Sequence, residues 1–537
     1  MERKRKYPVG IQSFTSIRED GYIYVDKTPF IYKMITEGKP YFLSRPRRFG
    51  KSLLVSTLAA VFEGKRELFE AFTTENGIEQ PQLYIATTKW KWEKHPVIRF
   101  DFSAGDLRDI EQLDTLIDVT LSSYEMQYGI TPKVKDANVR MVDLLRTSHA
   151  QTGKRAVVLV DEYDNFILHA LGNAKKVELA RQRFQNLFGP LKAEDDHLQF
   201  VFITGISKFS QMGVFSKLNN LNNISMNPAY DALCGISEQE LIGALKPDIE
   251  WMAERNQNSY DEMLASLKAR YDGYHFSKAM ADIYNPFSLI NAFYSGDLSD
   301  YWFDRGTSGA LIDMLAQMPP VDAAELEGIR LQDTDFNLPF ESFDNPLPIL
   351  YQSGYLTIKG YHPMGDINLY TLGFPNKEVR KGFADCLFKY VAGKQVTTRQ
   401  RSVFFNAFYD FMINDDLPAF IEAIKTFFAG VPYQWEADNR NEHYYHALLY
   451  TLLIAFGADI RAEEPSAKGR SDLTLLMPKG IYVMELKYDG TAEAALEQIN
   501  QRGYANKYAL DGRPITKVGI CFSSKERNIT EWKACSE

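Results

Sequence analysis

The sequence is short of cysteine. Its 537 residues hold four, Cys234, Cys386, Cys521 and Cys535, far apart and never in a CxxC spacing. That argues against a disulfide frame or a cysteine zinc site, and it fits reduced thiols in a cytoplasmic protein. Uninterrupted apolar runs of membrane-spanning length are missing as well, so no membrane span is expected. The basic start, MERKRKYPVG, is followed by none of the apolar sequence that a secretory signal carries. Positive charge is in deficit: 61 Lys and Arg against 70 Asp and Glu leave a net charge of −9. A globally basic nucleic-acid binder is thereby excluded, whereas a local basic groove or an acidic metal site is not. Arg3 to Lys6 read as a solvated tail rather than as a nucleic-acid contact.

What is present is ordinary globular composition, 45% hydrophobic and 24% charged, over a length too great for one core. The stretch that organises the chain is Tyr41 to Ser52, YFLSRPRRFGKS, followed by LLVSTLAAVF. An apolar run, an arginine-rich turn, Gly-Lys-Ser and a helix-forming segment come in the order that a phosphate-binding loop requires. The candidate nucleotide-binding residues are therefore Arg45, Pro46, Arg47, Arg48, Phe49, Gly50, Lys51, Ser52 and Leu53. Glycine lets backbone N–H groups turn toward an anion, and lysine reaches the outer phosphates. The Ser52 hydroxyl suits a phosphate-bound Mg²⁺. The opening glycine of the usual motif is absent, with Arg45 in its place. Alone, the stretch does not separate a phosphate loop from a plain strand-to-helix turn. Its three guanidinium groups would concentrate positive field beside Gly50, and Lys208 could add to it.

Three more apolar runs follow, PVIRFDFS, AVVLVDEYD and LQFVFITG, with helix-like sequence between them. Alternation of this kind predicts a parallel sheet covered on both faces. Ligands of such sheets bind beyond the carboxyl ends of the strands, where Asp161 and Glu162 stand. Asp161 is expected to hold the Mg²⁺ shell, and Glu162 to polarise an attacking water. Thr204, at the end of the third run, is either a sensor of the γ-phosphate or a cap for the next turn. Upstream, Thr28 reads as an N-cap with Pro29 at the first helical position. Downstream, Ser237 to Leu241 opens a helix with a capping-box pattern. YDGYHFS (271–277) reads as a packed aromatic loop, and GYLTIKGY with INLYTLGF as a β-hairpin.

A second constellation lies near the C-terminus. Glu485 and Lys487 are two apart on the strand-like IYVMELKY and so share a face. Asp472 sits in the preceding strand of a predicted hairpin, Glu442 on a helix that packs nearby, and Gln498 on a later helix. Two carboxylates and a lysine on one sheet face suit a Mg²⁺ ion and a water to be activated. By itself the D-x₁₂-E-x-K spacing is a weak signal.

RPRRFGKS, VLVDEYD, FITGISKFS and YDGYHFS together resemble the bacterial AAA-ATPase-like proteins, from about Pro8 to Phe287. Arginine at the first motif position is usual in that family. NEHYYHALLY, GRSDLTL, YVMELKY and ALEQINQRGY resemble the PD-(D/E)xK nuclease superfamily domain commonly fused to such ATPases, with Ser471 where the motif has proline. The resemblance implies Glu442, Asp472, Glu485 and Lys487 as catalytic, Asp472 and Glu485 as metal-holding, and Gln498 and Tyr504 as accessory. It implies ATP and Mg²⁺ as cofactors, DNA or RNA as partner and a possible homo-oligomer. The expected fold is α/β: a P-loop NTPase core with a parallel, AAA-like sheet (1–235), a helical lid (236–300), a winged-helix-like region (301–385), a helical connector (386–430) and a small nuclease-like α/β domain (431–537). The expected function is an ATPase coupled to a metal-dependent nuclease. The alternative is a nucleotide-dependent switch in signalling or defence whose C-terminal domain only binds nucleic acid or a partner.

Overall fold

A computed structural model describes residues 5–103, 109–170, 173–207, 220–303, 326–332, 335–337, 347–392, 398–429, 442–466 and 469–536, with side chains over the same ranges except 388–392, 398–402, 442–444 and 463–466. The chain forms two compact units, one of residues 1–310, 317–319 and 328–378, the other of 311–316, 320–327 and 379–537.

In the first unit, strands β1 (Pro40–Ser44), β2 (Val97–Asp101), β3 (Ala156–Asp161), β4 (Leu198–Gly205) and β5 (Asn222–Asn223) form a parallel sheet in the order β2-β3-β4-β1-β5. Every residue of β3 is buried, as continuous apolar runs in a sheet covered on both faces require. This order sets the carboxyl ends of β3, β4 and β1 side by side, with Ser44 opposite Gly205. Helix α1 (Thr28–Glu37) starts one residue earlier than its sequence suggests. Lys27 is the N-cap, and the Thr28 amide is held at 2.8 Å by the Asp26 carboxylate, so Asp26 supplies the capping oxygen. Helix α2 (Lys51–Phe62) follows the Gly-Lys-Ser segment and buries nine of its twelve residues, which makes it a central rather than a surface helix.

The solvated-tail reading fails at Arg5. Its guanidinium pairs with Asp248 and reaches the Ala244 carbonyl at 3.1 Å, while the Tyr7 hydroxyl takes the other Asp248 oxygen. Asp248 is buried, and a buried carboxylate needs such partners. Ser237 and Glu240 make the expected capping box. Helix α3 (Tyr260–Tyr271) then leads into YDGYHFS. Strands β6 (Arg330–Gln332), β7 (Thr357–Met364) and β8 (Ile367–Gly373) form an antiparallel sheet in the order β6-β8-β7, which contains the expected hairpin. Of the expected winged-helix-like region (301–385), residues 304–325, 333–334 and 338–346 lie outside the described ones.

Helix α4 (Lys377–Ala392) begins in the first unit and continues in the second. There helix α5 (Glu442–Ala455), strands β9 (Ile460–Ser466), β10 (Gly469–Leu476) and β11 (Ile481–Tyr488), helix α6 (Ala492–Arg502) and strands β12 (Ile515–Ser523) and β13 (Asn528–Ser536) complete the chain. The sheet runs β9-β10-β11-β12-β13, with β11 and β12 parallel and the other pairs antiparallel. Ile481 and Val483 on β11 pack with Ile499 of α6 and with Tyr504, which fixes α6 over the sheet. Among the described residues, no helix is long and apolar enough to cross a membrane.

Candidate functional sites

The loop between β1 and α2 is held by its own side chains. Gly50 has a φ of 89° and Arg48 one of 65°, the latter uncommon for a residue with a side chain. Arg45 is 1% exposed and donates to the carbonyls of Ser44 (2.9 Å), Ser225 (2.7 Å) and Tyr230 (3.1 Å), with Phe276 stacked 4.1 Å from its guanidinium. It is therefore a strut beneath the loop, where the sequence suggested a phosphate ligand. The Lys51 ammonium lies inside the turn and donates to the carbonyls of Arg45 (3.1 Å) and Pro46 (2.9 Å). Phe49 is buried against Tyr274 and Phe276, so the YDGYHFS loop braces this segment. The Arg47 carbonyl accepts from the Trp302 indole at 3.3 Å, and Arg48 lies over the Phe287 ring. An apolar pocket opens beside Gly50 and Leu53, lined also by Tyr24, Phe49, Leu233 and Pro286.

Asp161 closes β3 fully buried, and among the described residues neither of its oxygens has a hydrogen-bond partner. Burial pushes its pKa up to about 6, against the downward pull of Ser52 and Lys51. The Ser52 hydroxyl is near enough to exert that pull, yet it does not meet hydrogen-bond geometry with either oxygen. An orphaned carboxylate with a serine hydroxyl and a lysine close by is a donor set that fits Mg²⁺ with a phosphate. Glu162 follows in a strained left-handed conformation, φ 48°. Thr204 donates its hydroxyl to the Leu43 carbonyl at 2.8 Å inside the sheet, a bond that ties β4 to β1. That geometry favours a structural threonine over a sensor. Lys208 lies outside the described residues.

Asp164 escaped the sequence reading. It is buried, and one of its oxygens accepts from the Ile206 amide (2.9 Å), the Ser207 amide (2.6 Å) and the Ser207 hydroxyl (2.6 Å). Tyr163 adds its hydroxyl to the Ser207 carbonyl at 2.9 Å. The second half of VDEYD thus ties the end of β3 to the end of β4. Gly205 is the sequence signal for it, since a Cβ there would stand 2.5 Å from Asp164 Oδ1.

In the second unit, β10 and β11 pair with Leu473 opposite Met484, which brings Asp472 alongside Glu485. Asp472 Oδ2 accepts from the Leu486 amide at 2.7 Å. Glu485 is 1% exposed; its Oε1 accepts from Lys487 Nζ at 3.3 Å and from the Gln498 amide, while Oε2 has no partner among the described residues. Gln498 also reaches the Tyr504 hydroxyl at 3.4 Å. Burial and the neighbouring Asp472 hold the Glu485 carboxyl well above the usual range, with Lys487 opposing. Among the described residues, no group of three or more His, Cys, Asp or Glu side chains is placed to share a metal. Glu442 is the first residue of α5, which packs on β9, β10 and β11, and its side chain lies outside those described. His446, four residues on, was also missed: its Nε2 lies 2.9 Å from the Asp472 carbonyl.

Comparison with known proteins matches the family described as predicted AAA-ATPase over residues 8–215 and the PD-(D/E)XK nuclease superfamily over residues 440–532. The chain is 35% identical over 535 residues, 98% of each chain, to a protein of Azotobacter chroococcum mcd 1 described as an uncharacterized protein in the vnfD 5'region. No solved structure matches the chain.

Proposed function

Because the chain belongs to the predicted AAA-ATPase-like family and ends in a PD-(D/E)XK nuclease superfamily domain, we propose that it hydrolyses ATP in its first unit and cleaves phosphodiester bonds of DNA or RNA with its second, the first reaction licensing the second. One observation carries this reading. Buried Glu485 keeps an oxygen with no partner among the described residues, on the face where Asp472, Lys487 and Gln498 converge.

Asp472 and Glu485 would hold a divalent cation there, which supplies Lewis-acid stabilisation and a water of lowered pKa. Lys487 places its ammonium beside the carboxylate, where it can balance negative charge growing on the phosphate. Gln498 can turn its amide from Glu485 to the water or to the phosphodiester, and Tyr504 holds it from behind. Glu442 completes the proposed catalytic set.

In the first unit, Lys51 exchanges two loop carbonyls for phosphate oxygens when nucleotide binds. Ser52 and Asp161 would hold its Mg²⁺, and Glu162 orients the attacking water. The pocket beside Gly50 and Leu53 accepts the base.

The test is cleavage of plasmid, single-stranded DNA and RNA with Mg²⁺ or Mn²⁺, with and without ATP, beside an Asp472→Ala/Glu485→Ala variant. Metal-dependent cleavage well above the variant is expected on at least one substrate, with ATP turnover kept in that variant and lost in Lys51→Ala. If no substrate is cut above the variant, the nuclease reading fails; binding without cleavage would leave the switch reading. Unchanged ATP turnover in Lys51→Ala removes the phosphate-loop assignment.

A further inference from the structure

The β10–β11 ladder begins at Leu473 opposite Met484, one residue beyond Asp472, so the carboxylate-bearing residue sits at the end of that pairing. Two clips act at this position. One is the Leu486 amide on the Asp472 carboxylate at 2.7 Å. The other comes from α5, where His446 Nε2 meets the Asp472 carbonyl at 2.9 Å. A carbonyl only accepts, so Nε2 carries the proton and His446 donates. The imidazole is 4% exposed and parallel to the Tyr450 ring at 6.4 Å, and the Tyr450 hydroxyl accepts from Arg380 at 2.8 Å. Arg380 also donates to the Ile460 carbonyl at 2.5 Å, at the start of β9. The donor is thus held in place by packing rather than offered from a loose surface side chain.

We propose that His446 is a positioning residue for the cation site of the second unit. By holding the Asp472 carbonyl, it fixes the backbone from which the Asp472 carboxylate faces Glu485. The role rests on the reading of Asp472 and Glu485 as cation ligands, and it extends that reading to a side chain that touches neither cation nor substrate. Groups that orient ligands in this way typically change metal affinity or activity by about 10–100-fold when removed. His446 follows Glu442 by four positions, so the two share one face of α5. The same bond therefore sets the rotation of the helix that presents position 442.

The experiment measures Mn²⁺ binding to the full chain, without nucleotide, by the electron paramagnetic resonance signal of the free ion. The relevant site is the one abolished in Asp472→Ala/Glu485→Ala. His446→Ala should weaken binding there by about 10–100-fold, and His446→Gln, whose amide can donate to the same carbonyl, should restore it to within a few-fold. Thermal unfolding of the two variants should agree. Wild-type affinity in His446→Ala would overturn the role, as would equal losses in the Ala and Gln variants that follow a common drop in melting temperature. If the wild-type chain shows no Mn²⁺ site beyond the double variant, the cation-site reading and this inference fall together. If Mn²⁺ binds and responds to His446 while no substrate is cut, only the nuclease reading fails.

Discussion

The two sites solve opposite problems. In the first unit the loop's cations are engaged and the acid is not: Lys51 and the terminal nitrogens of Arg45 make five carbonyl contacts, to Ser44, Arg45, Pro46, Ser225 and Tyr230, while Asp161 is buried without a partner among the described residues. In the second, acid and donors already face one another, and among the described side chains one Glu485 oxygen is left over. On the ATPase reading, an incoming triphosphate would have to compete with the loop's own carbonyls for Lys51, and only the difference would count toward affinity. The second site needs no such exchange, because its groups stand on two paired strands and a helix packed over them. Rigid elements suit preorganised charge stabilisation, and a loop with two left-handed residues suits a site that rearranges with its ligand.

The largest effect expected from this contrast concerns Arg45. Arg45→Lys keeps the charge and loses the planar fork, which leaves carbonyls of Ser44, Ser225 and Tyr230 short of a donor in a buried place. Stability should fall by about 2–4 kcal/mol in urea unfolding, with the KM for ATP nearly unchanged in the protein that remains folded. The reverse result, intact stability and a KM raised tenfold or more, would make Arg45 a phosphate ligand and erase the difference between its role and that of Lys51.

Asp161 comes next. A carboxyl pushed by burial from 3.8 to about 6 binds more protons in the folded than in the unfolded chain across that interval. Stability from this group is thus highest below about pH 4 and declines as pH rises toward and past 6, by on the order of 3 kcal/mol in all. Asp161→Asn removes the buried charge. It should raise the melting temperature of the nucleotide-free protein at pH 7.5 by about 2–5 °C and abolish ATP turnover. Calorimetry at pH 5 and 7.5 checks the cause, since the wild type should gain on the variant as the pH is lowered. Parallel pH responses would mean that Asp161 is not the strained acid of the first site.

The strand-borne parts of both sites could be read from sequence, because they depend on short-range periodicity. A continuous apolar run marked β3 and put Asp161 at its carboxyl end, and the two-residue period put Glu485 and Lys487 on one face. Arg45 could not be read in the same way. Its acceptors Ser225 and Tyr230 lie about 180 residues downstream, and nothing in RPRRFGKS distinguishes a guanidinium that turns inward from one that meets phosphate. Asp164 and Thr204 failed for a related reason. Their roles exist only once β3 lies beside β4 and β4 beside β1, a strand order that alternating runs do not specify. YDGYHFS is the packed loop that its aromatic composition predicts, but what it packs on, Phe49 and Arg45, appears only in three dimensions.

The smallest effect tests the second site on its own terms. Burial and Asp472 raise the Glu485 carboxyl, so a proton and a divalent cation compete for it. Mg²⁺ without nucleotide should therefore stabilise the second unit more at pH 8 than at pH 6. With the ion about tenfold above its dissociation constant the gain is only about 1.4 kcal/mol, so the comparison belongs in the Lys51→Ala background, where the first site contributes least. Glu485→Gln should raise the metal-free melting temperature slightly and remove both the Mg²⁺ response and its pH dependence. A Mg²⁺ response that survives Glu485→Gln would place the cation elsewhere. The leftover oxygen of Glu485 would then be a consequence of burial rather than a vacant ligand, and the two units would no longer differ in how they prepare for their ions.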